Sequence, residues 1–154
     1  MATIDEVRSA LDSEEPDYDS LAKELGAEAL PHLRTLVVRE SPLLASKATY
    51  LAGMIGGELA APVVQEAASS ADATVRVAAA AAAAMLSESD ASDVLVSLID
   101  DADTGVQRVA LRSVPANPSA DLYSRVEALS AADTTDTIRK ETIRTIERVT
   151  KRKE

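Results

Sequence analysis

Apolar residues recur along this chain at a constant step of 31 residues. Two series keep the step through four copies: Leu33, Val64, Leu95 and Val126, and Leu36, Ala67, Leu98 and Leu129. A third series contains Leu44, Val75 and Val106, and Ile138 joins it after one inserted residue. Apolar stripes that recur together are typical of one helical pair repeated along a chain. Because such a pair cannot bury its apolar face alone, the pattern predicts copies that stack into a short solenoid.

Polar and helix-breaking residues fall between the apolar stripes and divide the chain into five predicted helical pairs. The predicted pairs are 3–11 with 17–25, 28–40 with 42–55, 58–69 with 73–86, 92–100 with 104–114, and 119–130 with 135–152. Pro31 and Pro62 stand 31 residues apart at positions that suit the first turn of a helix, where proline costs no hydrogen bond. No segment alternates apolar and polar residues as a strand does.

The predicted fold is therefore all-α, a right-handed α-solenoid of about five helical pairs in one domain over residues 1–154. Residues 1–26 form an N-terminal capping pair, 27–57, 58–90 and 91–118 are repeats, and 119–154 form a C-terminal capping pair. Terminal pairs of a solenoid need a polar outer face, which is why the first pair follows the register only in part.

Short polar residues precede the second helix of each pair. The turns that contain Asp72, Asp101 with Asp103, and Asp133 with Asp136 each offer an Asp, Ser or Thr to cap the second helix, where an acidic side chain also meets the positive end of the helix dipole. The stretch 51–57 (LAGMIGG), then APVV, then DATVRVAA at 72–79, resembles the HEAT repeat in the short form also found in bilin lyase subunits. Gln107 stands where this pattern has arginine, which interrupts the expected ladder of turn aspartates with arginines.

The resemblance implies that the second helices line a concave face. Helical spacing then predicts four outward-facing triplets: Ser46, Thr49 and Tyr50; Val77, Ala80 and Ala81; Arg108, Leu111 and Arg112; and Lys140, Ile143 and Arg144. From these we predict that a partner binds through Tyr50, Arg108, Leu111, Arg112, Lys140, Ile143 and Arg144, because arginines beside apolar residues are typical of interfaces. The alternative is that the basic residues only solvate their helices.

Charge supports an acidic partner at the C-terminal half of this face. The net charge is −10, yet residues 104–154 hold 10 of the 16 Lys and Arg residues. An acidic body disfavours nonspecific binding to nucleic acid or to an anionic membrane. The longest apolar run, 77–86, is too short to span a bilayer, and the acidic N-terminus does not resemble a signal peptide, so a soluble cytoplasmic protein is expected.

Residues for chemistry are sparse. The chain has no cysteine, His32 is its only histidine, and no phosphate loop or nucleophile motif occurs. His32 is expected at the surface or a helix end, and the acidic turns are expected to be caps and not calcium loops. These observations predict no metal, no cofactor and no enzymatic activity.

The resulting hypothesis is a noncatalytic protein-binding scaffold or adaptor that receives an acidic helix or tail. Three alternatives stay open: a bilin lyase-like chromophore chaperone, a nucleic-acid-binding HEAT-like protein that uses the basic C-terminal helices, and self-association through the ends of the solenoid.

The alanine run 78–84 predicts close packing of the central second helix. Ala79 and Ala82 are expected to face neighbouring helices, and Ala80 is expected to point outward.

Overall fold

The computed structural model describes residues 1–132 and 134–151. Over these ranges the chain forms ten α-helices and a short 3-10 turn, Ala27–Ala29, and no strand. The helices are α1 (Ile4–Leu11), α2 (Tyr18–Leu25), α3 (Leu30–Arg39), α4 (Pro42–Ile55), α5 (Ala60–Ala68), α6 (Ala73–Ala83), α7 (Glu88–Leu98), α8 (Thr104–Ser113), α9 (Ala120–Ala131) and α10 (Asp136–Lys151). The all-α solenoid of five helical pairs is confirmed.

The helices form two layers. In the first-helix layer α1, α3, α5, α7 and α9 contact one another in that order, and in the second-helix layer α2, α4, α6, α8 and α10 do the same. Every residue of the three 31-residue series is buried. The repeated stripes therefore form one continuous core between the two layers, as expected for stacked helical pairs.

Side-chain caps determine where most of the later helices begin. Asp72 accepts a hydrogen bond from the Thr74 N–H at the start of α6, and Asp103 accepts one from the Val106 N–H at the start of α8. Ser87 caps α7 in the same way, so this helix begins at Glu88 and not at residue 92. A hydroxyl or carboxylate at this position satisfies an amide that has no partner within the helix.

The second helices approach one another closely because small residues line their contacts. A Cβ atom placed on Gly53 of α4 would lie 2.7 Å from Cε of Met85 and 3.0 Å from Cβ of Ala82. Ala79 and Ala82 are fully buried, as predicted. Ala80 is also fully buried, so its predicted outward position is wrong.

Candidate binding face of the second helices

We name the solvent-facing side of α2, α4, α6, α8 and α10 the second-helix face. In α4, α6 and α8, the middle residue of each predicted outward-facing triplet is buried instead of exposed. Thr49, Ala80 and Leu111 occupy equivalent positions in α4, α6 and α8, and each has an exposed fraction of 0%. Leu111 is therefore removed from the predicted binding residues. Ile143, the equivalent residue of α10, is 46% exposed. Among the helices that the structure describes, the position that is covered in α4, α6 and α8 is therefore open in α10.

The C-terminal half of this face contains a cluster of three arginines around one buried carboxylate. Glu141 of α10 is only 5% exposed. Its Oε1 accepts hydrogen bonds from Nε and Nη2 of Arg112 at 3.1 and 2.8 Å. The same oxygen lies 3.7 Å from Nε of Arg108 and 3.6 Å from Nη1 of Arg144. We name these four residues the arginine cluster.

Electrostatics keeps Glu141 ionised inside the arginine cluster. Hydrogen bonding from Arg112 holds the pKa of Glu141 below its usual value, and the charges of Arg112, Arg144 and Arg108 act in the same direction against the opposing effect of burial. Arg108 and Arg144 lie too far from Oε1 for short hydrogen bonds to it. One carboxylate among three guanidinium groups leaves an excess of positive charge at the surface, where the Arg144 side chain is 70% exposed.

The structure adds residues to this region that the sequence analysis did not single out. Thr145 donates from Oγ1 to the carbonyl of Leu111 at 3.0 Å, and Arg148 donates to the carbonyls of Val114 and Leu111 at 2.7 and 3.2 Å. A cation at the C-terminal end of a helix can hydrogen-bond the last carbonyls, and here it adds to the 3.5 Å hydrogen bond that the Leu111 carbonyl accepts from the Val114 N–H. The proline that follows Val114 was the available sequence signal, because it ends α8 and has no N–H to offer to a carbonyl of the last turn.

The N-terminal half of the face contains a tyrosine pocket. The rings of Tyr18 and Tyr50 meet edge to face with centroids 4.9 Å apart. Together with Leu43, which is 66% exposed, they line a pocket of about 330 Å³; its remaining lining residues are Ser46, Lys47 and Ala78. Burial raises the pKa of Tyr18, and the neighbouring Tyr50 adds to the shift.

The two halves hold different subsets of the predicted binding residues. Tyr50 belongs to the tyrosine pocket, whereas Arg108, Arg112 and Arg144 meet at Glu141. Lys140 is exposed on α10 beside Glu141 in sequence. Glu141 was not predicted, because an acidic residue in a helix rich in Lys and Arg has the sequence pattern of a solvated charge.

An internal ion pair joins α6 of the third pair to the turn between α7 and α8 of the fourth pair. Arg76 donates from Nε and Nη2 to the two carboxylate oxygens of Asp101 at 2.8 and 3.1 Å. Burial alone would raise the pKa of Asp101, but the hydrogen bonds from Arg76 and from the Asp103 N–H hold it below its ordinary value. Gln107 donates instead to the carbonyl of Ile99 at 3.2 Å, so the ladder is interrupted there.

Metal-binding geometry is not found in the part of the chain that the structure describes. Over residues 1–132 and 134–151, no three His, Cys, Asp or Glu side chains converge as ligands. His32 lies half-buried in the first turn of α3, in agreement with a helix-end position.

Among the helices within 1–132 and 134–151, none has both the length and the apolar character needed to cross a bilayer.

The two stacked layers define the chain as a helical-repeat protein, and a solved structure shares this fold. A chain in the complex of CpcE and CpcF, the phycocyanin lyase of Nostoc sp. PCC7120, superposes with a TM-score of 0.71 and 19% sequence identity. The match covers 93% of this chain and 97% of the other. No protein-family profile matches the chain, and no curated protein sequence matches it.

This likeness corrects one prediction. The sequence analysis expected no enzymatic activity, and the structural match is to a chain of a lyase complex, which contradicts that expectation. The absence of catalytic motifs from one chain does not exclude activity in an assembly of chains. A fold does not by itself define a function, and this fold occurs in a chain of a lyase complex.

Proposed function

We propose that the chain is a subunit of a bilin lyase-like assembly, which holds a chromophore at the tyrosine pocket and a protein segment at the arginine cluster. The observation that carries the proposal is that both sites lie on one face of a fold that matches a phycocyanin lyase chain over nearly its whole length. The fold supports a lyase-like assembly, the tyrosine pocket offers aromatic contacts to a chromophore, and the arginine cluster offers positive charge to a protein segment.

The tyrosine pocket suits a flat conjugated ligand. Edge-to-face aromatic pairs offer ring surface with a polar hydroxyl at one end, and the pocket volume of about 330 Å³ lies at the lower end of the range typical of small-molecule sites. A linear tetrapyrrole presents flat apolar rings of this kind. Leu43 is open to solvent at the pocket, so it would lose exposed apolar surface when a ligand binds.

The arginine cluster suits an acidic segment of a protein. Glu141 neutralises one of three guanidinium groups, and Arg108 and Arg144 keep exposed donors that can hydrogen-bond a carboxylate. An excess of positive charge within a chain of net charge −10 would also attract an acidic segment at a distance. Lys140 and the exposed Ile143 on the same helix would add charge and apolar contact.

The proposed chromophore binding is tested by titrating biliverdin into the protein and following the absorbance and the induced circular dichroism of the biliverdin. We expect Leu43→Ser to weaken binding by about tenfold, because a leucine side chain loses its contact with the ligand. Leu59→Ser is the matched control, since Leu59 is 68% exposed but lies in the first-helix layer. Absence of binding, or equal affinity of the two variants, would refute the chromophore site.

The protein arm is tested with a labelled synthetic peptide rich in Glu and Asp. We expect the double variant Arg108→Glu with Arg144→Glu to abolish binding, and wild-type affinity to fall as salt rises. Arg112 is left unchanged because it holds the buried carboxylate.

A double variant with the same change in net charge provides the control. Arg125→Glu with Arg139→Glu alters two arginines that are 44% and 46% exposed outside the cluster. If both double variants lose the peptide equally, the attraction depends on net charge and the assignment of the arginine cluster is wrong.

A further inference from the structure

The first-helix layer carries a second surface, an apolar groove between α3 and α5. It has a volume of about 540 Å³, and the buried Leu30 and Val63 and the exposed Pro31 and Pro62 line it. Ala27, Glu28, Arg34, Thr35 and Arg39 complete its lining. Val38 and Leu59 border it with exposed fractions of 63% and 68%. These two are among the most exposed large apolar side chains of the protein. We name this surface the apolar groove.

The repeat itself shows that the scaffold does not require these exposed apolar residues. At the position of Leu59, the repeats before and after carry Glu28 and Asp90. At the position of Val38, the next repeat carries Ser69. Leu59 also makes no capping hydrogen bond at the start of α5. The apolar side chains therefore occupy sites where the same architecture accepts polar ones.

An acidic groove lies next to the apolar groove, between α5 and α7. It is lined by Glu58, Asp90 and Asp93, together with Ala61, Pro62, Gln65 and Val94. Pro62 lines both grooves, so they form one continuous surface. Within residues 1–132 and 134–151, neither Glu58 nor Asp93 takes part in any of the ion pairs found. The surface thus changes from apolar to negative over one helix spacing, about 8–10 Å.

We propose that the apolar and acidic grooves together dock an amphipathic helix of a partner protein, with an apolar stripe followed about two helical turns later by Lys or Arg. Two turns of helix rise about 11 Å, which matches the step from one groove to the next. The apolar stripe would cover Val38 and Leu59, and the basic residues would meet Glu58 and Asp93. An apolar helix face laid in a groove is an established mode of peptide recognition. This surface is separate from the second-helix face, so the inference does not depend on the proposed function.

The occupant is tested with a fluorescent helical peptide that carries a leucine stripe and a lysine cluster two turns further on. We expect binding that Leu59→Ser weakens by about tenfold, with Leu43→Ser on the second-helix face as the unaffected control. These variants have the opposite roles in the biliverdin titration, so failure of one proposal is distinguished from failure of the other. Equal effects of the two variants, or no binding of the peptide, would overturn the inference.

The charge requirement is tested separately. Glu58→Lys with Asp93→Lys is expected to abolish binding of the lysine peptide and to permit binding of a peptide with glutamates in place of the lysines. The control is Glu14→Lys with Glu15→Lys, two exposed residues between α1 and α2. It makes the same change in net charge and should have little effect on binding. Equal loss in both double variants would mean nonspecific attraction and would contradict the proposal.

A second copy of the chain is the competing occupant. Sedimentation equilibrium of the wild type is expected to show a monomer. A dimer that Leu59→Ser dissociates would assign the apolar groove to self-association and would overturn the proposed partner helix.

Discussion

The two halves of the second-helix face share one architecture and differ in chemistry. The N-terminal half has neighbouring tyrosine rings and an exposed leucine around a small pocket. The C-terminal half has a buried carboxylate that holds arginines from two helices. The difference shows that the 31-residue repeat determines where side chains stand on the face, whereas the individual residues at those positions determine its chemistry.

The largest expected effect on stability comes from comparing equivalent positions of α8 and α10. Leu111→Ala should destabilise the protein by about 2–5 kcal/mol, because it leaves a cavity in a fully buried site. Ile143→Ala, at the equivalent position of α10, should change stability by less than about 1 kcal/mol, because this side chain already contacts water. Urea unfolding of both variants measures the difference. Similar losses would mean that α10 is covered as the earlier helices are.

The next largest effect on stability is expected in α6, which lies between the two halves of the face. Ala79→Leu and Ala80→Leu should each destabilise the protein by about 1–3 kcal/mol, because both alanines are fully buried and added volume forces neighbouring backbones apart. Ala84→Leu, at an exposed position after α6, is the control. Thermal unfolding reports all three variants, and an unchanged midpoint for Ala80→Leu would place that residue outward after all.

Removal of the buried carboxylate tests the C-terminal half directly. Glu141→Gln should cost about 1–2 kcal/mol at neutral pH, less than breaking a fully buried ion pair, because the three arginines stay partly hydrated. Urea unfolding of the variant at neutral pH measures this loss. Glu147→Gln, exposed on the same helix, is the control.

The pH dependence of the same site has a definite sign. Since the pKa of Glu141 is lowered in the folded state, its contribution to stability is present above the unfolded value of about 4.3 and is lost as pH falls toward the folded value. Urea unfolding from neutral to acidic pH should show this loss in the wild type and in Glu147→Gln, but a shallower loss in Glu141→Gln. An equally steep loss in Glu141→Gln would contradict the assignment.

The smallest effect belongs to the N-terminal half. Tyr50→Ala should lower the free energy of unfolding by about 0.5–1.5 kcal/mol, because the aromatic pair with Tyr18 is lost. Burial raises the pKa of Tyr18, so its ionisation should give a late component in an absorbance titration, and Tyr18→Phe should remove that component. Persistence of the late component in Tyr18→Phe would assign it to another tyrosine.

Both halves of the face show which structural features the sequence pattern predicts. The spacing of Leu33, Val64, Leu95 and Val126 predicted the repeat and the core, because a helix must bury its apolar stripe. Asp72 and Asp103 predicted two helix starts, because a cap is a local interaction. The sequence also brought Arg108, Arg112 and Arg144 to one face by their register.

Only the tertiary structure decided which of these positions are exposed and what they contact. Leu111 and Ile143 have the same place in the repeat, but one is covered by the next helix and the other is not, and this depends on neighbours that no local pattern encodes. Glu141 has the sequence pattern of a solvated charge until α8 places Arg108 and Arg112 beside it. The sequence by itself determined the repeat, the core and the helix starts, because those follow from local periodicity. The tertiary structure decided the arginine cluster, the tyrosine pocket and the apolar groove, because each forms between helices distant in sequence.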